Sequence, residues 1–264
     1  HAQWLAVRSR FGDDADGVTA GGFVSSAFDV DQGFDDFEES LETQKLQEAF
    51  DRGLAWIDSN HERPFFLLVH GYDVHLPYTP DPRPAAPPGY TPLPESYDED
   101  AVARVEAGGS LADFPFDELR MAYLTLPGRT DARFMKLFHE FMRTPKRSHV
   151  DGWALAPAFT AELEWVRANY AAEAREMDDA FHRFWSALES RGVLDRTLVV
   201  FVSDHGEELM EHGDLHHGLT TQEVAHVPLI VRLPPPLRRS MPVRVAQPVS
   251  GVDLLPTILD FCGL

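Results

Sequence analysis

Residues 197–213, TLVVFVSDHGEELMEHG, set an acid and an imidazole side by side, Asp204 and His205, directly after an apolar, β-branched run. A carboxylate and an imidazole on consecutive residues can both reach one divalent cation where the backbone turns sharply, and Gly206 permits such a turn. Val199, Val200, Phe201 and Val202 in a row suit a parallel strand covered on both faces. The carboxyl ends of such strands are where open α/β sheets hold their ligands. A strand closing on a solvated turn is the plain alternative for the same residues.

Further imidazoles follow the same logic. The apolar run at 65–69 (FFLLV) leads into HGYDVHLPY, whose His75 could donate to the oxygens of an ester or carry a proton. Its structural alternative is a loop histidine packed against prolines. Asp73 suits fixing that loop or orienting an imidazole better than chemistry. His212, His216 and His217 form a second cluster, which reads equally as surface histidines. Ser203 suits the end of a strand, and Asp178 and Asp179 a solvated helix face.

The elements that must position these groups alternate. A short strand is expected at 19–25, followed by a turn-rich segment at 29–35. From 44 to 59, Leu46, Phe50, Leu54 and Ile57 share one face at helical spacing, and Pro64 closes the element. Residues 77–94 carry eight prolines, a density that excludes a helix or central strand and predicts an extended surface excursion. Residues 95–156 read as an insertion with a helix at about 132–142. A long amphipathic helix is predicted over 161–191, with Gly192 as its C-cap. It leads into the strand at 197–202, another strand at 228–233, and a helix at 253–261 with Asp253 as N-cap. The alternation favours an α/β sandwich with a mainly parallel sheet running through 65–69, 199–202 and 229–231, and Asp204, His205 and His75 converging at one sheet edge.

The 264 residues, 44% of them hydrophobic, suffice for a sizeable core. No run approaches the roughly 18 apolar residues of a membrane span. A net charge of −20 disfavours nucleic acid as a partner but leaves open an anionic substrate at a metal-bearing pocket. The single cysteine, Cys262, excludes an internal disulfide framework.

At this point the chain resembles the formylglycine-dependent sulfatases of the alkaline phosphatase superfamily. FFLLVHGYDVHLPY is similar to that family's strand with its Asp-x-His-x-Pro-Tyr ending, and LVVFVSDHGEELMEHG to its second metal-binding segment. VAHVPLIVRLP and VDLLPTILDFCG match its later strand and final helix, and GGFVSSAFDVDQGFDDFEE the piece before its first long helix. These segments occur in family order. The resemblance implies an α/β, alkaline-phosphatase-like three-layer αβα sandwich. Residues 1–264 would be a partial catalytic domain lacking its N-terminal part, with the proline-rich excursion at 77–94 and the insertion at 95–156.

It further implies metal-dependent hydrolysis of a sulfate ester, small-molecule or glycan. Asp204 and His205 would be metal ligands, and His75 and His217 would act on the ester, with His216 as the rival of His217 and His212 as an extra ligand in a zinc-type relative. The cation is expected to be Ca²⁺, with Mg²⁺, Mn²⁺ or Zn²⁺ as alternatives. The family's paired N-terminal acids and its Cys/Ser-x-Pro-x-Arg nucleophile motif are expected outside this chain, which alone would be inactive. A phosphate or phosphonate ester hydrolase of the same superfamily, or a non-catalytic protein keeping the fold, are the rival readings. Relatives of this kind are usually periplasmic or secreted.

Overall fold

The structure, a computed structural model, describes residues 15–39, 45–75, 78–88, 103, 107, 160–209, 211–212, 215–217, 220–235 and 244–263. The helix expected at 132–142 and nearly all of the insertion at 95–156 lie outside the described residues. The chain forms two compact units, one from residues 1–73, 177–204 and 227–264, the other from 74–176 and 205–226.

The first unit is built on a parallel three-stranded sheet in the order β2-β1-β3, from β1 (Ala15–Val18), β2 (Asp36–Glu38) and β3 (Phe66–Val69). Asp16 stands opposite Asp36 and Leu67 in register. The helix α1 (Leu46–Asn60) connects β2 to β3, the crossover that a parallel pairing requires. Its predicted apolar face is real: Phe50 and Ile57 are buried, and Gly53 lets the helix lie against Leu67 and Val69. The C-terminal half of the long helix α2 (Thr160–Ser190) closes the core with Ala180, Phe184 and Leu188. Phe50 and Phe184 stack at 4.3 Å, and Val193 and Leu194 fill the floor beyond Gly192, whose φ of 66° ends the helix in the left-handed region.

Two expectations are corrected. The strand predicted at 19–25 lies earlier, at Ala15–Val18, because Gly21 and Gly22 both adopt positive φ and fold 19–25 into a turn that the Thr19 hydroxyl ties to the Val24 carbonyl. The sheet expected to run through 65–69, 199–202 and 229–231 is not continuous among the described residues. Instead β4 (Val199–Val202) pairs with β7 (Leu229–Arg232) as a separate antiparallel ladder. The chain between them is a hairpin and one helical turn rather than a crossover helix, so it returns antiparallel. Nor is this ladder covered on both faces: Phe201 packs on Phe181 at 5.1 Å, while Ile230 is 59% exposed.

The second unit joins the N-terminal half of α2 to the hairpin of β5 (Glu208–Leu209) and β6 (Leu215–His216), and to the one-turn helix α3 (Gln222–Ala225). The proline-rich stretch is a surface excursion only in part. Tyr78 and Pro80 are buried, the Thr79 amide donates to Glu173 on α2, and Trp165 Nε1 donates to the Pro84 carbonyl. The final helix α4 (Leu254–Cys262), in the first unit, is preceded by the Ser250–Asp253 capping box of a short 3₁₀ turn. The Asp253 carboxylate therefore accepts from the Ser250 amide rather than capping α4 itself.

Asp16, 4% exposed within β1, is held with its pKa raised to about 6, by burial first and by the Asp36 carboxylate second. The native state therefore keeps a proton that the unfolded chain releases near 3.8. Between about pH 4 and pH 6 the native state binds more protons, so this contribution to stability is lost as pH rises through that window. Asp16→Asn is expected to flatten the slope of the urea midpoint from pH 4 to pH 6; an unchanged slope would show that another group carries it.

Candidate active site

Three of the imidazoles singled out from the sequence meet in the second unit. The rings of His205 and His217 lie 3.8 Å apart, His75 and His217 5.0 Å, and His75 and His205 6.0 Å, centroid to centroid. A ring nitrogen from each lies within 4.8 Å of the other two. All three are partly buried.

Local structure explains each position. His75 follows Val74, whose φ of 63° is a costly left-handed conformation for a β-branched residue. Upstream, in the first unit, the Asp73 carboxylate accepts from the Leu46 amide at 2.5 Å and so holds the first turn of α1, the loop-fixing role expected of it. His205 donates from Nδ1 to the Gly206 carbonyl at 3.0 Å, which leaves Nε2 as the lone-pair nitrogen of the neutral ring. Gly206 is required for space rather than for an unusual turn. Its φ is not in the left-handed region, and a Cβ there would meet the Glu223 carbonyl oxygen at 2.1 Å, where the Gly206 amide donates to the Val224 carbonyl.

Two residues of this arrangement escape the sequence reading. Glu207, 9% exposed, accepts from His217 Nδ1 at 2.6 Å through one oxygen and from the Tyr78 hydroxyl at 2.8 Å through the other. The carboxylate thus holds His217 through Nδ1 and leaves Nε2 on the side of the ring away from Glu207. Burial, followed by the Glu207 charge, pushes the Tyr78 hydroxyl far above its ordinary pKa, so it remains a donor. Tyr170 packs edge-on against Tyr78 at 5.3 Å, and its own pKa is raised by burial and by Glu207. The available signal was the tyrosine of HLPY, whose buried hydroxyl needs an acceptor.

Asp204 lies just beyond β4 in the first unit, where its charge acts to raise the pKa of His70; burial prevails, and the His70 pKa is lowered. His212 pairs with Glu208 rather than with the three-histidine cluster, and His216 is a β6 residue. The donor set of the cluster suits a divalent cation, because one ring nitrogen from each of three imidazoles lies within 4.8 Å of the other two. Such a set leans towards Zn²⁺ or Mn²⁺ rather than the oxygen-seeking Ca²⁺.

A model of the sulfatase family matches residues 8–264, and the chain belongs to that family. It is 28% identical over 219 residues to arylsulfatase K of Xenopus laevis, covering 81% of this chain and 35% of that protein. It is 27% identical over 214 residues to the multifunctional alkaline phosphatase superfamily protein PehA of Trinickia caryophylli, covering 81% and 37%. The chain thus spans about a third of the length of these curated relatives. Among solved structures it aligns with BT4656, determined in complex with D-glucosamine-2-N,6-O-disulfate, at TM-score 0.56 and 20% identity over 99% of this chain and 60% of that one. It also aligns with the phosphonate monoester hydrolase SpPMH of Silicibacter pomeroyi at TM-score 0.55 and 18% identity, over 99% and 57%.

Tyr78→Phe removes the hydroxyl that donates to the buried Glu207 carboxylate. It is expected to lower unfolding stability by about 1–3 kcal/mol, read from urea denaturation, because a buried hydrogen bond to a carboxylate is lost. An unchanged midpoint would mean that Glu207 has another donor.

Proposed function

We propose that this chain carries the C-terminal part of a sulfatase catalytic domain, an alkaline-phosphatase-like three-layer sandwich that hydrolyses a sulfate ester with a divalent metal. The observation that carries the reading is the convergence of His75, His205 and His217 in a chain that the sulfatase family model matches from residue 8 to residue 264. Asp204 and His205, consecutive in the chain, would hold the cation, the hydrogen bond from His205 Nδ1 to Gly206 fixing the nitrogen that binds it. When bound, the cation supplies positive charge against the anionic ester and the attacking group. The expected ion is Ca²⁺ where carboxylates complete the site, and Zn²⁺ or Mn²⁺ where further imidazoles join it.

His75 and His217 would contact the ester oxygens, and one of them would deliver the proton to the departing alcohol. Glu207 and Tyr78 hold His217 for this task. The nucleophile would come from outside residues 1–264: the chain's own Ser-x-Pro-x-Arg match, at residues 240–244 (SMPVR), follows the 197–213 segment, whereas the resembled family carries the motif near its N-terminus. A sulfated sugar is the favoured substrate class, supported by the fold likeness to BT4656 and the ligand it was determined with. A phosphonate or phosphate monoester is the second reading, favoured by the likeness to SpPMH and PehA.

The test is steady-state kinetics of the full-length protein on an aryl sulfate, a sulfated glucosamine and a phosphonate monoester. His75→Ala is expected to lower turnover by roughly 10²–10⁴-fold with metal affinity intact. Asp204→Ala should instead weaken metal binding and recover partly at high metal concentration. Wild-type turnover by both variants would overturn these residue roles, absence of turnover by the unsubstituted protein would favour a non-catalytic protein, and turnover of the phosphonate alone would favour the second reading.

A further inference from the structure

A second group of metal-binding side chains lies in the same unit, apart from the three histidines. It consists of Glu208, His212 and Glu223, each offering one ligand atom, all within 4.8 Å of one another. The three sit on a stitched frame. Glu208 opens β5, which is paired to β6 opposite His216; His212 lies on the connection between those strands; and Glu223 is in the first turn of α3, tied back by the bond from the Gly206 amide to the Val224 carbonyl.

The electrostatics of this group are unbalanced. Glu208 is 0% exposed, and a carboxylate that deep requires a compensating charge or several donors. Among the described residues, its one hydrogen bond is from His212 Nδ1 to Oε1 at 2.8 Å, while Oε2 is buried with no hydrogen-bond partner. Glu223 adds a second carboxylate, its Oε2 also buried and without a hydrogen bond, 3.5 Å from the same His212 nitrogen. Two carboxylates therefore share one imidazole nitrogen, which can donate only one proton. Arg167 also reaches the hairpin, but its guanidinium goes to the Leu209 carbonyl and the Glu211 carboxylate. The His212 side chain is half exposed, so the group opens to solvent on one side.

We propose that Glu208, His212 and Glu223 form a divalent-cation site of the zinc or manganese class, with solvent completing the coordination. Two carboxylate oxygens and one imidazole nitrogen are a sufficient protein donor set for such an ion, which leaves outer positions to water. Metal–ligand bonds of about 2.0–2.2 Å would bring the donor atoms to about 3–3.5 Å apart, a short closure from their present spacing. The cation would take the place of the Nδ1 proton between His212 and Glu208, that proton passing to Nε2 or to solvent, and would set a positive charge against the buried Oε2 atoms. Because it ties the hairpin to α3, its role would be structural, bracing the frame on which Glu207 and His217 stand. The proposal does not rest on the sulfatase reading.

The test uses the metal-stripped full-length protein carrying His75→Ala and His205→Ala, which dismantles the other cluster. Equilibrium dialysis against Zn²⁺ is expected to leave about one ion per chain, with a rise in Tm. Adding Glu208→Gln or Glu223→Gln should weaken retention by at least about 10-fold. No retained Zn²⁺, as for a simple imidazolium bridge, or retention indifferent to both glutamine variants, would overturn the proposal. If circular dichroism shows that the variants unfold, anomalous scattering from Zn²⁺-soaked crystals of the unsubstituted protein decides. A peak bonded to Glu208, His212 and Glu223 supports the site, and no peak there overturns it.

Discussion

The second unit depends on two consecutive buried carboxylates, Glu207 and Glu208. Each charge would cost several kcal/mol in the interior if left unmatched. Neighbouring residues on an extended chain project to opposite sides, so the pair cannot share a partner. Glu207 takes Tyr78 and His217, and Glu208 takes His212. Those obligations fix where the 212–217 segment must return and where the 75–78 loop must enter. The positions of the histidines follow from the acids.

The same constraint shapes what the imidazole cluster can do. Three rings within 4–6 Å of one another crowd their nitrogens into one small volume. Two of the rings, His205 and His217, are oriented by hydrogen bonds on Nδ1. His205 is oriented by a backbone carbonyl, a weak and local device; His217 is oriented by an ionised carboxylate, which also stabilises positive charge on the ring. The two rings are thus held by different means, His205 by its own neighbour's backbone and His217 by a distant carboxylate.

In the first unit the organising device is apolar. The stack of Phe50 on Phe184 joins α1 to α2, and Leu67 and Val69 of β3 pack beneath them. Asp73 adds a polar link by holding the amide of Leu46 just past the end of β3. The chain therefore leaves the sheet with its direction set before it reaches the strained Val74. A left-handed valine persists only where its surroundings impose it, and the anchored Asp73 is part of that imposition.

The sequence by itself determined the helices and the strands flanking the chemistry. The apolar face of 46–60, the long amphipathic run ending at Gly192, and the runs at 66–69, 199–202 and 229–232 all stand within a residue or two of their predicted bounds. Periodicity is a local property, and burial of one face enforces it. Motif order likewise identified the family. Only the tertiary structure decided the direction of β7, the displacement of the first strand to 15–18, and the partners of the acids. An apolar run carries no sign of which neighbour it pairs with or in which sense. The EE of DHGEELMEHG reads as solvated charge until the fold removes water from both side chains and assigns each its own histidine.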